Sequence, residues 1–286
     1  MEHFERVIGF LSASMKQKSL TDGDMVTIMA YSVAFFSVAF FLGYSIDTEM
    51  KEVIDKNTGK TMVVPKKKIR TWAISVANSG VVSVMGCLYM LLRYTSQDVM
   101  GGYVPYFPPV GSQGVDFALY GRDDFGTVAC IIFGCANICD VVYGLLFYPE
   151  NLSFLTTYFH HSVFTWLMVA AVTSRGGFVT TPTPFVPSFI IALPEEIPTF
   201  LLALGSVCPT LRSDLLFGIT FFLLRILYNG FILYYTVANH SYSPIIGMYI
   251  LSMVLHLVWF RGWVLGAGRK YVATIFPGLA QKSKMV

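Results

Sequence analysis

Polar and apolar residues along this chain come in long blocks, without the short periods of soluble helices and strands. Runs of about 20 predominantly apolar residues, the length that crosses a bilayer, recur at 25–46, 72–94, 127–147, 155–173, 184–207, 214–237 and 243–265. The pattern predicts an all-α integral membrane protein, a bundle of about seven transmembrane helices. It divides the chain into a polar N-terminal segment at 1–24, a transmembrane domain at 25–270 and a tail at 271–286.

The connecting segments read as loops. The one at 47–71 carries Lys51, Lys56, Lys60, Lys66, Lys67, Lys68 and Arg70, whereas 95–126 is rich in Gly, Pro, Tyr and Asp, with Arg122 as its base. A tight turn is expected at 148–153 and a short Gly/Thr/Pro loop at 174–183. Basic loops mark the cytosolic side. With an odd number of spans, the 47–71 loop shares its side with Arg269, Lys270, Lys282 and Lys284, so the C-terminus is expected in the cytosol. Lys282 and Lys284 resemble a dilysine retrieval signal of the endoplasmic reticulum; the alternative is a basic tail attracted to anionic lipid. The polar N-terminal segment predicts an uncleaved signal-anchor as the first span.

Composition agrees with the pattern. Hydrophobic residues make up 55% of the 286, charged residues 13%, and the mean hydropathy is +0.61. Soluble domains carry roughly 25% charged residues, so one membrane domain fits and two soluble domains do not. A net charge of +3 gives no basis for nucleic-acid binding. Cys87, Cys130, Cys135, Cys139 and Cys208 follow no zinc spacing and are expected as small core residues.

The candidate chemistry lies inside the blocks. A charge in hydrocarbon costs at least about 2.5–3.5 kcal/mol, so it usually has a partner or a task. Asp140, His160, His161, Glu195, Glu196, Arg225 and His256 all occur there, accompanied by Asn137 and Asn229. At about 1.5 Å per helical residue, all fall between mid-bilayer and the cytosolic leaflet, which predicts one shared pocket. Leu193-Pro194-Glu195-Glu196-Ile197-Pro198 places two acids between prolines, and prolines break helices. A kink that aims one glutamate into the bundle is expected. His160 and His161 are candidate catalytic bases, because imidazole exchanges protons near neutral pH. Asp140 would orient one of them. Glu195, Glu196, Arg225, Asn229 and His256 would shape a lipid pocket. A glutamate–Arg225 pair that only fixes packing, and a hydrogen-bonded core role for His256, are the structural alternatives.

Cys139-Asp140-Val141-Val142-Tyr143, then Phe147-Tyr148-Pro149, then His160-His161 resemble the TLC-domain family, which includes ceramide synthases, translocation-associated membrane proteins and small TLC-domain proteins. Glu196 with Pro198-Thr199-Phe200, Phe221-Phe222-Leu223-Leu224-Arg225, and the basic entry from Lys66 to Trp72 resemble further family segments. The chain departs from ceramide synthases in two places. Ser188 to Glu196 contains no histidine, and Asn78 or Ser79 stands near the family's frequent histidine in span two. The resemblance is therefore closer to the small TLC-domain proteins.

The resemblance implies membrane lipid metabolism, and the retrieval-signal reading of Lys282 and Lys284 places it in the endoplasmic reticulum. One expectation is an acyl-CoA-dependent acyltransferase resembling sphingoid-base N-acyltransferase, with membrane lipids and fatty acyl-CoA as partners. The alternative is a non-catalytic lipid-binding protein that regulates membrane composition. No cofactor or metal is expected beyond acyl-CoA as co-substrate, and a homo-oligomer is left open. A transporter ranks lower, because no inverted repeat is visible. A retinal protein lacks its Schiff-base lysine in the last span, and a di-iron hydroxylase needs more histidines than the five present.

Overall fold

The computed structural model describes residues 20–47, 50–54, 61–65, 69–95, 124–173, 175–176, 179–180, 184–239 and 243–268. Most of the N-terminal segment, the bases Lys56, Lys60, Lys66, Lys67, Lys68 and Arg122, and the tail with Lys282 and Lys284 lie outside the described residues.

Among the described residues, six helical stretches are long and apolar enough to cross a membrane: Asp22–Ile46, Ile69–Leu91, Asp124–Phe147, Val186–Val207, Asp214–Ala238 and Pro244–Gly266. The chain is an all-α integral membrane protein. In chain order, α1 is Asp22–Ile46, α2 Ile69–Thr95 and α3 Asp124–Phe147. A π-turn at Phe154–Phe159 then runs directly into α4, His160–Thr173, and the two together cover roughly 30 Å. This composite segment covers the stretch expected as the fourth span, but it is not one of the six, because its α-helix is only 14 residues long.

The fifth span is broken into α5 (Val186–Ile190), a 3-10 turn (Leu193–Glu196) and α6 (Ile197–Val207). The sixth is α7 (Asp214–Phe221), a π-turn (Phe222–Tyr228) and α8 (Asn229–Ala238). The last is α9 (Ser243–Trp263), ending in a π-turn at Val264–Gly268.

Two of the expected loops contain short hairpins instead. In the first, β1 (Met50–Ile54) pairs antiparallel with β2 (Thr61–Pro65), with Glu52 opposite Val63. In the second, β3 (Arg175–Gly176) pairs with β4 (Val179–Thr180). Hydropathy alone did not separate hairpin from loop, because both are polar relative to the spans.

Local chemistry sets the helix starts. Thr21 caps α1 through a reciprocal box with Asp24, and Ser213 caps α7 by accepting from the Leu216 N–H. The end of the bundle that carries Ile46, Ile69, Phe147 and Trp263 is called here the near end. Tyr44 ties it together by touching Phe147, ring centroids 5.7 Å apart, and by lying 4.5 Å beneath the Arg70 guanidinium. Arg70 also pairs with the buried carboxylate of Asp47 at 3.3 Å. At the opposite end the Leu20 N–H donates to Asp124, and the Phe185 N–H to the Ala171 carbonyl.

Helices in lipid gain little from apolar burial and associate through close packing, which small residues permit. The central helix α3 follows that rule, burying Gly126, Ala129, Cys130, Gly134, Ala136 and Cys139. Peripheral α1 buries only Ser32, Phe36, Phe40 and Gly43, one seam at helical spacing. Large apolar side chains such as Leu42, Leu146, Leu227 and Val258 stay exposed on the perimeter, where hydrocarbon solvates them. Cys130, Cys135 and Cys139 are buried as expected; Cys87 is exposed, which corrects its reading as a core residue.

Two glycines permit the approaches that shape the site. A Cβ on Gly86 of α2 would lie 2.9 Å from Leu193 Cβ and 3.1 Å from the Pro194 nitrogen, so α2 packs directly on the broken fifth span. A Cβ on Gly144 would lie 2.6 Å from Leu152 and 3.2 Å from the Tyr148 ring, so the turn after α3 folds back onto that helix.

Candidate functional site

Inside the near half of the bundle lies a cavity of about 430 Å³, within the ordinary size range of ligand sites. Asp140, His160, His161, Glu196 and Arg225 all line it. The predicted shared pocket is therefore present, though it takes only part of the predicted cluster.

Asp140 sits on α3 and is held from two directions. The Tyr148 hydroxyl donates to Oδ1 at 3.0 Å, while His161 Nδ1 approaches Oδ2 at 3.5 Å. Tyr148 reaches back because Pro149 starts a 3-10 turn immediately after it, and its ring is buried beside Phe40. Burial, and then the Asp140 carboxylate, push the Tyr148 hydroxyl well above its ordinary pKa, so it remains a donor. The outcome is a Tyr148–Asp140–His161 line ending at the cavity. Asp140 thus contacts one histidine of the pair, His161.

His160 makes different contacts. Its ring lies 5.4 Å from that of His161, 4.7 Å from Phe164 and 5.5 Å from Trp259, centroid to centroid. The π-turn before α4 shifts the phase of the helix just ahead of the pair, a device common at functional sites. Nδ1 of both histidines is buried without a hydrogen-bond partner. For His161 this atom lies within charge-pair distance of Asp140 but outside hydrogen-bond geometry.

The two glutamates diverge. The break in the fifth span is a 3-10 turn, and consecutive residues there point in different directions. Glu196 accepts from Arg225 Nη2 at 3.0 Å and borders the cavity. Glu195 is 4% exposed, and both its oxygens accept from Asn229 Nδ2, at 3.1 and 3.0 Å. Both acids therefore find partners inside the bundle, which corrects the expectation that the kink would turn one inward. Arg225, within the π-turn of the sixth span, also donates from Nε to the Glu195 carbonyl at 2.7 Å and from Nη2 to Thr199. Its guanidinium lies over the rings of Phe221 at 5.4 Å and Trp259 at 5.9 Å.

Asn229 and His256 do not line the large cavity. Asn229 Nδ2 is 2.9 Å from Ser252 Oγ, and His256 Nδ1 is 3.0 Å from the Arg225 carbonyl. A carbonyl only accepts, so Nδ1 of His256 carries the hydrogen. Glu195, Ser252 and His256 border a second space of about 30 Å³, which His160 and Glu196 also touch. The predicted residues thus form two sites that meet at His160, Glu196 and Arg225.

Tyr148 and Trp259 belong to the large cavity but were not among the predicted site residues. Tyr148 was visible only as part of a Tyr-Pro turn. Trp259 follows His256 by three positions, hence on a neighbouring face of α9, and that spacing was the available signal. Among the described residues, no group of His, Cys, Asp and Glu is placed to hold a metal ion. The chain matches no protein-family model, no curated protein and no solved structure.

Proposed function

We propose that this protein is an enzyme of membrane lipid metabolism, an acyltransferase that moves a fatty acyl group from acyl-CoA to a long-chain amine or hydroxyl acceptor. The observation that carries this reading is the Tyr148–Asp140–His161 line opening on a cavity within the bundle. A carboxylate at one ring nitrogen fixes the tautomer and raises the basicity of the other. That other nitrogen takes a proton from the acceptor as its nitrogen or oxygen attacks the thioester carbonyl. The new N–C or O–C bond forms, the C–S bond breaks, and the departing thiolate takes up the proton. An intramembrane cavity suits substrates whose tails stay in hydrocarbon. The resemblance to TLC-domain proteins supports a sphingoid-type amine as acceptor; Lys282 and Lys284 support the endoplasmic reticulum as location, and the basic 47–71 loop supports a cytosolic near end.

The alternative is a lipid-binding protein without turnover. It is favoured by His160 Nδ1, which is buried without a hydrogen-bond partner in a residue that lines the cavity. The test supplies the purified protein with palmitoyl-CoA and octadecylamine and follows N-acyl product by mass spectrometry. Product that disappears in the double variant His160→Ala, His161→Ala, with that variant still folded, supports the enzyme. Retained lipid without product over amine and alcohol acceptors supports the binding protein. A double variant that does not fold makes the pair structural and overturns both uses of it.

A further inference from the structure

Among the described residues, the first span contributes nothing to the wall of the large cavity. It nevertheless carries a side chain that reaches the Tyr148–Asp140–His161 line. Phe40 is 0% exposed, and its ring lies 6.2 Å from that of Tyr148 at a tilt of 37°. That separation is within the range in which aromatic rings attract one another. At about 1.5 Å per helical residue, Phe40 lies about 9 Å and Asp140 about 10 Å from the near ends of their helices. Ring and carboxylate therefore stand at one level.

Phe40 is itself fixed from several directions. The Tyr143 ring stacks on it, 4.6 Å away and 5° from parallel, and the rings of Phe147 and Tyr44 lie at 5.1 and 6.0 Å. Ser37 Oγ gives its hydrogen to the Val33 carbonyl, so the Tyr143 hydroxyl donates to Ser37, at 2.6 Å. Ser37, Phe40 and Tyr44 follow one another at helical spacing and present one stripe of α1 to the end of α3. The Tyr148 ring is confined from α3 as well, since a Cβ on Gly144 would lie 3.2 Å from it.

The Tyr148 hydroxyl reaches back eight residues, to 3.0 Å from Asp140 Oδ1. It stands at the far end of the ring, so a small tilt at the base of the side chain moves it most. Hydrogen bonds weaken steeply as distance and angle leave their ideal values. One such bond stabilises by about 1 kcal/mol net, comparable with the rotamer freedom a side chain gives up on being fixed. The bond alone is therefore too weak to hold the ring, and packing has to hold it.

We infer that Phe40 is a positioning residue of this site. It fixes the Tyr148 ring, which keeps the hydroxyl on Asp140 and so sets how Asp140 presents itself to His161. The first span acts on the site in this way without reaching the cavity. Calling the effect one on catalysis rests on the acyltransferase reading; the positioning itself does not.

The test is a double-mutant cycle. Phe40→Leu removes the flat ring, and Tyr148→Phe removes the hydroxyl on which it acts. Two quantities are followed: kcat and KM for palmitoyl-CoA with octadecylamine as acceptor, and the ring-nitrogen NMR signals of His161 in histidine-labelled protein in lipid bilayers, identified by their loss in His161→Ala. In the wild-type background Phe40→Leu should lower kcat several-fold, leave KM unchanged and shift the His161 signals as Tyr148→Phe does. In the Tyr148→Phe background the same substitution should change neither. Phe40→Met, which also lacks a flat ring, replaces it if Phe40→Leu does not fold. A further loss of equal size in the Tyr148→Phe background, or His161 signals that Phe40→Leu leaves in place, overturns the inference and makes Phe40 a packing residue. The cycle seen in the signals, without acyl transfer by the wild type, keeps the positioning and removes the acyltransferase. Acyl transfer without the cycle does the reverse.

Discussion

The Tyr148–Asp140–His161 line and the Glu195–Asn229–Ser252–His256 network each join a carboxylate and a histidine inside the bundle, yet they are satisfied differently. In the network nearly every polar atom meets another protein atom, with Asn229 Oδ1 as the exception. Around the line, partnerless nitrogens and oxygens gather at a cavity large enough for a ligand. Ionisable residues in a membrane bundle are therefore not equivalent evidence of function. Those whose hydrogen bonds close on protein hold helices together, and those whose bonds remain open address something else.

The comparison breaks most sharply at the histidine pair. Replacing His160 and His161 by Ala should lower acyl transfer by about 10²–10⁴-fold, the usual share of a positioned base. The thermal midpoint in detergent should hardly move, since these rings border space. An equal loss of midpoint and turnover would place the pair with the structural network.

Arg225 tests the opposite side. Arg225→Leu leaves Glu196 without its cation and the Glu195 carbonyl without its donor. Removing one member of a buried pair costs about 3–5 kcal/mol, to be read from unfolding in mixed micelles. A loss below about 1 kcal/mol is the figure for an exposed pair and would mean that the cavity solvates Glu196.

Smaller effects sharpen the boundary. Asn229→Ala strips Glu195 of its side-chain donor and should cost about 1–3 kcal/mol of stability. A neutral result would remove the network from the account of packing. Tyr148→Phe deletes one hydroxyl and its 3.0 Å bond to Asp140. The expected loss is about 1 kcal/mol of transition-state stabilisation, or several-fold in turnover, with KM for acyl-CoA unchanged. No change in turnover would reduce Tyr148 to a packing residue.

Much of this was legible in the chain. The apolar blocks predicted the helical spans to within a few residues, because a run long enough to cross hydrocarbon has no other stable form. The same blocks carried Asp140, the histidine pair, both glutamates and Arg225, and a count along each helix put them in one slab. Rotation about each helix axis was not legible. Helices apolar on every side have no polar stripe from which to read a face, and here the phase is reset just before the histidine pair, at the glutamate pair and around Arg225.

Those resets decided which residues meet. Composition and order along the chain determined that this is a membrane bundle with a polar slab in its near half. Only the tertiary structure decided that Glu196 pairs with Arg225 while Glu195 goes to Asn229, and that Asp140 reaches His161 and not His160. The physical reason is that hydropathy depends on what each residue is, whereas pairing depends on the angle at which packing and local helix type present it.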